Sequence, residues 1–156
     1  MADLRTVLSE AGLGDVRTYI QTGNVIAKSE LSRTKVQTLV HETIKENIGA
    51  QIPAIARTAE QFRVIFEQNP FASADSARVY FSLLQESPSK ANLEKFLLTE
   101  FSPDTIRIIN DTLYTRYNTK HSDSKFNNNF FERHLKVTST TRNFNTMSKL
   151  VELSSA

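Results

Sequence analysis

The order of elements along these 156 residues predicts an α+β chain made of two βαββαβ units with antiparallel sheets, the first lacking its opening strand. Three observations carry the prediction. Stretches with apolar residues at helical spacing alternate with short β-branched and aromatic runs. Two tight-turn signals, Gln21-Thr22-Gly23 and Asn110-Asp111, each sit between two such runs and read as hairpins. The order of elements in the second half then repeats that of the first, plus one strand.

Leu4, Val7, Leu8 and Ala11 place a helix over residues 2–12, and Gly12 and Gly14 end it. Val16 to Ile20 and Asn24 to Lys28 are the arms of the first hairpin. After the possible cap Ser32, the stripe Val36, Leu39, Val40, Ile44 and Ile48 predicts a second helix, closed by Gly49. Ile52 to Arg57 reads as a strand, with Pro53 favouring an edge or an opening position.

Thr58 and Gln61 have the spacing of a capping box ahead of Phe62, Ile65 and Phe66, so a connecting helix ends near Asn69-Pro70. Arg78 to Leu84 predicts a central strand. Ser87 and Pro88 suit the cap and first position of a helix burying Leu93, Phe96, Leu97 and Phe101, which Ser102-Pro103 stops. Thr105 to Ile109 and Thr112 to Tyr117 form the second hairpin. Ser124 to Leu135 is helical despite the weak formers Asn127 to Asn129, Lys136 to Thr141 is strand-like, and residues 144–153 make a last helix.

Strand, helix, strand, strand, helix, strand is the split βαβ order of a ferredoxin-like unit. The expected organisation is therefore an incomplete N-terminal ferredoxin-like subdomain over 1–57, a connecting helix and loop over 58–77, a C-terminal ferredoxin-like subdomain over 78–141, and a C-terminal helix over 142–156. The strand absent from the first unit belongs between Asn24–Lys28 and Ile52–Arg57. Without it these two segments either close into a parallel pair or leave a groove lined by unpaired backbone groups. In the second case the first half is expected to be the less stable half and to recruit a strand from another copy, giving a homodimer through the incomplete sheet, or from an upstream segment.

Composition excludes several classes of function. The absence of cysteine removes disulfides, thiolate chemistry and cysteine-ligated zinc. No window approaches the roughly 18 apolar residues of a membrane helix, and Asp3, Arg5 and Glu10 stand where a signal peptide would be apolar, so a soluble cytoplasmic protein with no membrane partner is expected. Residues 105–156 hold eight basic against four acidic side chains, the most basic third of the chain. Such an excess could attract nucleic acid, although scattered solvated lysines explain it better, and nucleic acid is not the favoured partner.

A set of residues then resembles one family over most of the chain. These are Met1 to Arg5, Asp15 to Val25 with Thr18-Tyr19-Ile20-Gln21-Thr22-Gly23-Asn24 at its centre, Arg57, Asn69-Pro70-Phe71, Ser124-Lys125, and Thr140-Thr141-Arg142-Asn143-Phe144-Asn145-Thr146. Together they resemble the bacterial proteins called domain of unknown function 1697. The resemblance implies an α+β fold of two similar subdomains and no established activity. Members usually begin with a strand and a glycine-containing loop, and this sequence starts just after that point.

Arg142, Asn143, Asn145 and Thr146 lie where a strand hands over to a helix, so unpaired backbone amides gather beside a guanidinium and short polar side chains, which is the chemistry of an anion site. The competing reading is that Asn143 simply caps the helix and Arg142 is solvated. Tyr19, Gln21 and Asn24 could present a polar hairpin tip to a ligand, or could be turn chemistry alone. Arg57 could bind a carboxylate or phosphate, or pair with Asp or Glu.

His41, His121 and His134 show no zinc-binding spacing, His41 is expected to face solvent, and no Gly-x-Ser-x-Gly, dinucleotide or phosphate-loop pattern occurs, so no metal and no cofactor is called for. Tyr80, Phe81, Tyr114 and Tyr117 could form an RNA-stacking platform, but aromatics in central strands are more often core. The leading expectation is a binding module for a small anionic or nucleotide-like ligand using Arg142, Asn143, Asn145, Thr146, Arg57, Tyr19, Gln21 and Asn24. A metal-independent enzyme acting on a phosphorylated metabolite is the alternative, although no residue pair announces a general base or nucleophile.

Overall fold

Backbone turns with positive φ punctuate the first half. The structure is a computed structural model and describes residues 2–19, 23–71, 75–118 and 120–155. α1 (Ala2–Glu10) stops where Gly12 takes φ 114° and the Leu13 amide reaches back to the Leu8 carbonyl. β1 (Gly14–Tyr19) and β2 (Asn24–Lys28) pair antiparallel as a two-stranded sheet. α2 (Arg33–Ile48) starts at Ser32, whose hydroxyl accepts from the Lys35 amide, and ends at Gly49 with φ 82°. Only Ile44 of its apolar stripe is fully buried, and Ile48 is 51% exposed, so much of that stripe has no cover.

The expected strand at Ile52–Arg57 does not form. Residues 51–58 belong to no regular element and are held by side chains instead: Gln37 Oε1 accepts from the Ala56 amide at 2.9 Å, Gln85 Nε2 donates to the Ala54 carbonyl at 2.9 Å, and His41 Nδ1 lies 2.8 Å from the Ile52 carbonyl. His41 thus serves this segment and does not simply face water. The physical reason is a missing ladder partner, since the segment pairs with neither β2 nor the second sheet, and Pro53 has no amide to offer one. The parallel pair does not close either.

α3 (Ala59–Glu67) begins with the expected capping box, in which Thr58 Oγ1 accepts from the Gln61 amide and Gln61 Oε1 from the Thr58 amide. Beyond it come β3 (Val79–Leu84), α4 (Lys90–Leu97), β4 (Thr105–Ile109), β5 (Thr112–Arg116), α5 (Asn128–Leu135), β6 (Ser139–Asn143) and α6 (Phe144–Ser154). The four strands form one antiparallel sheet in the order β4-β5-β3-β6, with β3 between β5 and β6. That central first strand is what split βαβ connectivity requires.

Each face of this sheet is covered. Leu84, Ile106 and Leu113 meet Phe96 of α4 and Phe130, Phe131 and Leu135 of α5. On the opposite face Phe81, Leu83 and Tyr114 meet Ile65 of α3 and Met147 of α6. Several boundaries differ from expectation for local reasons. Ser89, not Ser87, caps α4, because a proline pushes the residue before it out of the helical region and the first turn waits until Lys90. Asn127 caps α5, which uses one weak helix former productively. Lys136 takes φ 60°, so β6 starts at Ser139 and runs through Arg142 to Asn143.

Candidate functional site

A groove of about 1310 Å³ opens between the two halves of the molecule. One wall is the uncovered stripe of α2, with Val36, Val40, Ile44 and Ile48; another is residues 52–57; β2 forms a rim; Leu83 of β3 and Thr140 and Arg142 of β6 close it from the second half. The groove thus runs between β2 and residues 52–57. Leu31, Ile48 and Ile52, each about half exposed, all line it.

Arginines are set into this apolar lining. Arg57 has only 2% of its side chain exposed; its Nη2 donates to the Leu84 carbonyl at 2.5 Å and lies 3.4 Å from Asp111 Oδ2. Arg33 Nη2 reaches the same carboxylate oxygen at 2.9 Å and the Gln85 carbonyl at 2.9 Å. One carboxylate therefore serves two guanidinium groups. Burial pushes the Arg57 pKa down, Asp111 pulls it back up, and Arg33 pushes it down again. Asp111 is presented by the turn between β4 and β5, where Asn110 takes φ 55°.

Arg142 is a second, partly buried cation of the groove. Its Nε donates to Asn24 Oδ1 at 2.8 Å, and its Nη1 to Thr140 Oγ1 at 2.6 Å and to the Thr141 carbonyl at 3.0 Å. Burial pushes this guanidinium below its ordinary range. Asn24 is itself 6% exposed and donates to the Tyr19 carbonyl at 3.2 Å, so it ties the base of the first hairpin to β6.

The structure accordingly divides the residues read from the sequence. Arg142, Asn24 and Arg57 line one groove. Asn143, Asn145 and Thr146 do not: Asn143 Oδ1 accepts from the Thr146 amide at 2.8 Å as the cap of α6, Thr146 is buried, and Asn145 is exposed. Arg142 runs toward Asn24 and Thr140, so the guanidinium and the helix start, expected as one site, are separate features. Tyr19 ends β1 and contributes its carbonyl, while Gln21 lies outside the described residues. Sequence reasoning missed Arg33 and Asp111. Their contact spans 78 positions, and Asp111 figures in the sequence only as half of the Asn110-Asp111 turn signal, so no local signal marks the pair.

Phe81 and Tyr114 are fully buried, Tyr117 is 1% exposed, and Tyr80 stacks on His121 with ring centroids 4.3 Å apart. These aromatics make a core and no open platform. Among the described residues, no group of three or more His, Asp or Glu is arranged to hold a metal, and no helix is long and apolar enough to cross a membrane.

Fold and groove together define an α+β protein with two antiparallel sheets and a cationic, largely apolar cleft between its halves. The chain belongs to the family described as "Protein of unknown function (DUF1697)", whose model matches residues 1–114. A solved structure of a conserved bacterial protein from Streptococcus pneumoniae is similar, with a TM-score of 0.72 and 21% identity, over 99% of this chain and 88% of that one. At that identity the likeness speaks for the fold. No curated protein matches the sequence.

Proposed function

We propose that this protein is a binding module for an anionic ligand, held in the groove between β2, α2 and residues 52–57. The observation that supports it is the charge of the lining: Arg17, Lys28, Arg33, Arg57 and Arg142 face a single lining carboxylate, Asp15, and Asp111 behind the groove is shared by two of the arginines. Lys28 and Asp15 neutralise each other at the exposed rim, 3.0 Å apart. Arg57 and the partly buried Arg142 stand in a lining rich in apolar side chains, where a bound anion is poorly screened and a charge-assisted hydrogen bond contributes about 1.5–3 kcal/mol.

Isothermal titration with inorganic phosphate, pyrophosphate and adenosine monophosphate tests the reading. At least one probe should bind, and Arg142→Gln should weaken it about tenfold, the loss of one charge-assisted hydrogen bond. A bound small anion should lose affinity only modestly between 50 and 200 mM salt, whereas a nucleic acid neutralised at several phosphates loses roughly a thousandfold or more. Equal binding by the wild type and Arg142→Gln would rule out the groove as the anion site.

A further inference from the structure

The run Asn69-Pro70-Phe71 takes no part in the groove and supports a different cationic feature, on the face of the second sheet that meets α3. Asn69 Oδ1 accepts from the Phe71 amide at 2.9 Å, and both residues are buried. The Arg116 guanidinium lies over the Phe71 ring, 5.8 Å from its centroid. Side chains alternate along a strand, so Arg116 shares a face with Tyr114, whose hydroxyl meets Ile65 of α3. In β4, Arg107 stands opposite Tyr114 and Thr105 opposite Arg116. Arg107 and Arg116 are therefore diagonal neighbours on that face, a relation in which residues typically lie about 7–8 Å apart. Neither has a counter-charge. Among the described residues neither side chain makes a hydrogen bond or an ion pair, and Arg116 Nε is buried with no acceptor. β4 and β5 contain no acidic residue. The acids nearby serve other groups: Asp104 accepts from the Asn118 amide and the Ser124 hydroxyl, Glu67 pairs with Arg63, and Asp75 lies beside Arg78. Two guanidinium groups on one face without an acid repel each other, and an anion between them would offset that repulsion.

We propose that Arg107 and Arg116 form a second anion site, separate from the groove, for the phosphoryl group of a phosphomonoester. It stands whether or not the groove binds an anion. Charge selects the class. A phosphomonoester carries about −1.5 to −2 at pH 7 and matches two unpaired cations, whereas a carboxylate or a phosphodiester brings a single charge. Geometry agrees, because each guanidinium is a planar fork suited to paired oxygens, and a phosphoryl group offers three. Phe71 works from the protein side. Its ring under the Arg116 guanidinium restrains that long side chain, so less ordering is left for the ligand to impose. Arg107, exposed at the surface, is the arm that a ligand meets first.

The test is a titration of glycerol phosphate into the isotope-labelled whole chain, following the backbone amide resonances of residues 105–109 and 112–116 by NMR. These amides should shift in the wild type and equally in Arg142→Gln, which separates the site from the groove. Arg107→Gln changes only an exposed side chain and should weaken binding about tenfold, the loss of one charge-assisted hydrogen bond. Arg116→Lys keeps the charge but loses the fork and should also weaken it. Dimethyl phosphate, with one charge, should bind about tenfold more weakly than glycerol phosphate. No shift at these amides, or equal affinity in Arg107→Gln, would overturn the site. Shifts that vanish in Arg142→Gln would return the anion to the groove. Equal binding of dimethyl phosphate would overturn the phosphomonoester. A single-stranded decanucleotide that binds more tightly than glycerol phosphate, and loses roughly a thousandfold between 50 and 200 mM salt, would give this face to nucleic acid instead.

Discussion

The two halves follow one order of elements and reach different degrees of completion. In the second, four strands are covered on both faces, and each core cluster is built almost wholly from residues after 64. In the first, a two-stranded sheet and two helices bury Leu8, Leu13 and Ile44 and leave Ile48 and Ile52 half exposed. Composition explains much of the difference. All ten phenylalanines lie at residue 62 or beyond, so the large rings that can fill a core by themselves belong to the second half and to the helix joining the two. Element order specifies connectivity; it does not supply the volume that closes a core.

This contrast can be broken from its strong side. Phe131 is completely buried among Phe96, Phe130 and Leu84, and truncation to alanine should cost about 3–5 kcal/mol, measured by urea unfolding. Ile44→Ala, in the less tightly covered α2, should cost distinctly less, about 2 kcal/mol. Equal losses would mean that the first half is as well packed as the second.

The seam between the halves comes next. Asp111→Asn keeps a turn-compatible side chain but removes the carboxylate shared by Arg33 and Arg57, leaving one guanidinium almost wholly buried without its counter-ion. A loss of about 3 kcal/mol is expected, with the first half uncoupling from the second in native-state amide exchange. A uniform drop in protection across both halves would show that they unfold as one unit. Independently of any variant, amides in residues 24–28 should exchange faster than those of β3, since among the described residues β2 pairs with one strand and β3 lies between two.

Local chemistry was the readable part of this molecule. The Thr58 capping box, both hairpins, Gly49 as a helix end and the central position of β3 all depend on neighbours in sequence or on dense β propensity, and all are present. Ile52–Arg57 has the composition of a strand yet is not one, because a strand needs a ladder partner that propensity cannot provide. Arg142 and Asn24 belong to one expected ligand set, but a helix start and a turn give no local signal of their direct contact across 118 positions. Arg33 with Asp111 shows the same limit: long-range polar pairs are set by how the halves meet.

The smallest effect concerns the sheet that the comparison favours. Tyr114 is fully buried, and its hydroxyl donates to the Ile65 carbonyl at 2.7 Å, joining β5 to α3. At neutral pH, Tyr114→Phe should cost about 1 kcal/mol, the net value of one neutral hydrogen bond. Burial also pushes the Tyr114 pKa up to about 12 from an ordinary value of 10. Because the folded value is the higher one, folding favours the protonated phenol. That contribution is complete below pH 10 and is lost as the pH climbs toward 12, by about 1.4 kcal/mol for each unit of separation. The phenylalanine variant has no such proton to lose. Its deficit should therefore shrink above pH 10, reverse near pH 11 and leave the variant the more stable protein by about 1 kcal/mol at pH 12, when urea midpoints of the two proteins are compared across that range. Tyr117, whose pKa burial also raises, titrates in both proteins and cancels from the comparison. A constant deficit from pH 7 to 12 would mean that water reaches the Tyr114 hydroxyl and that the face of the sheet beneath α3 is less completely sealed than its side chains indicate.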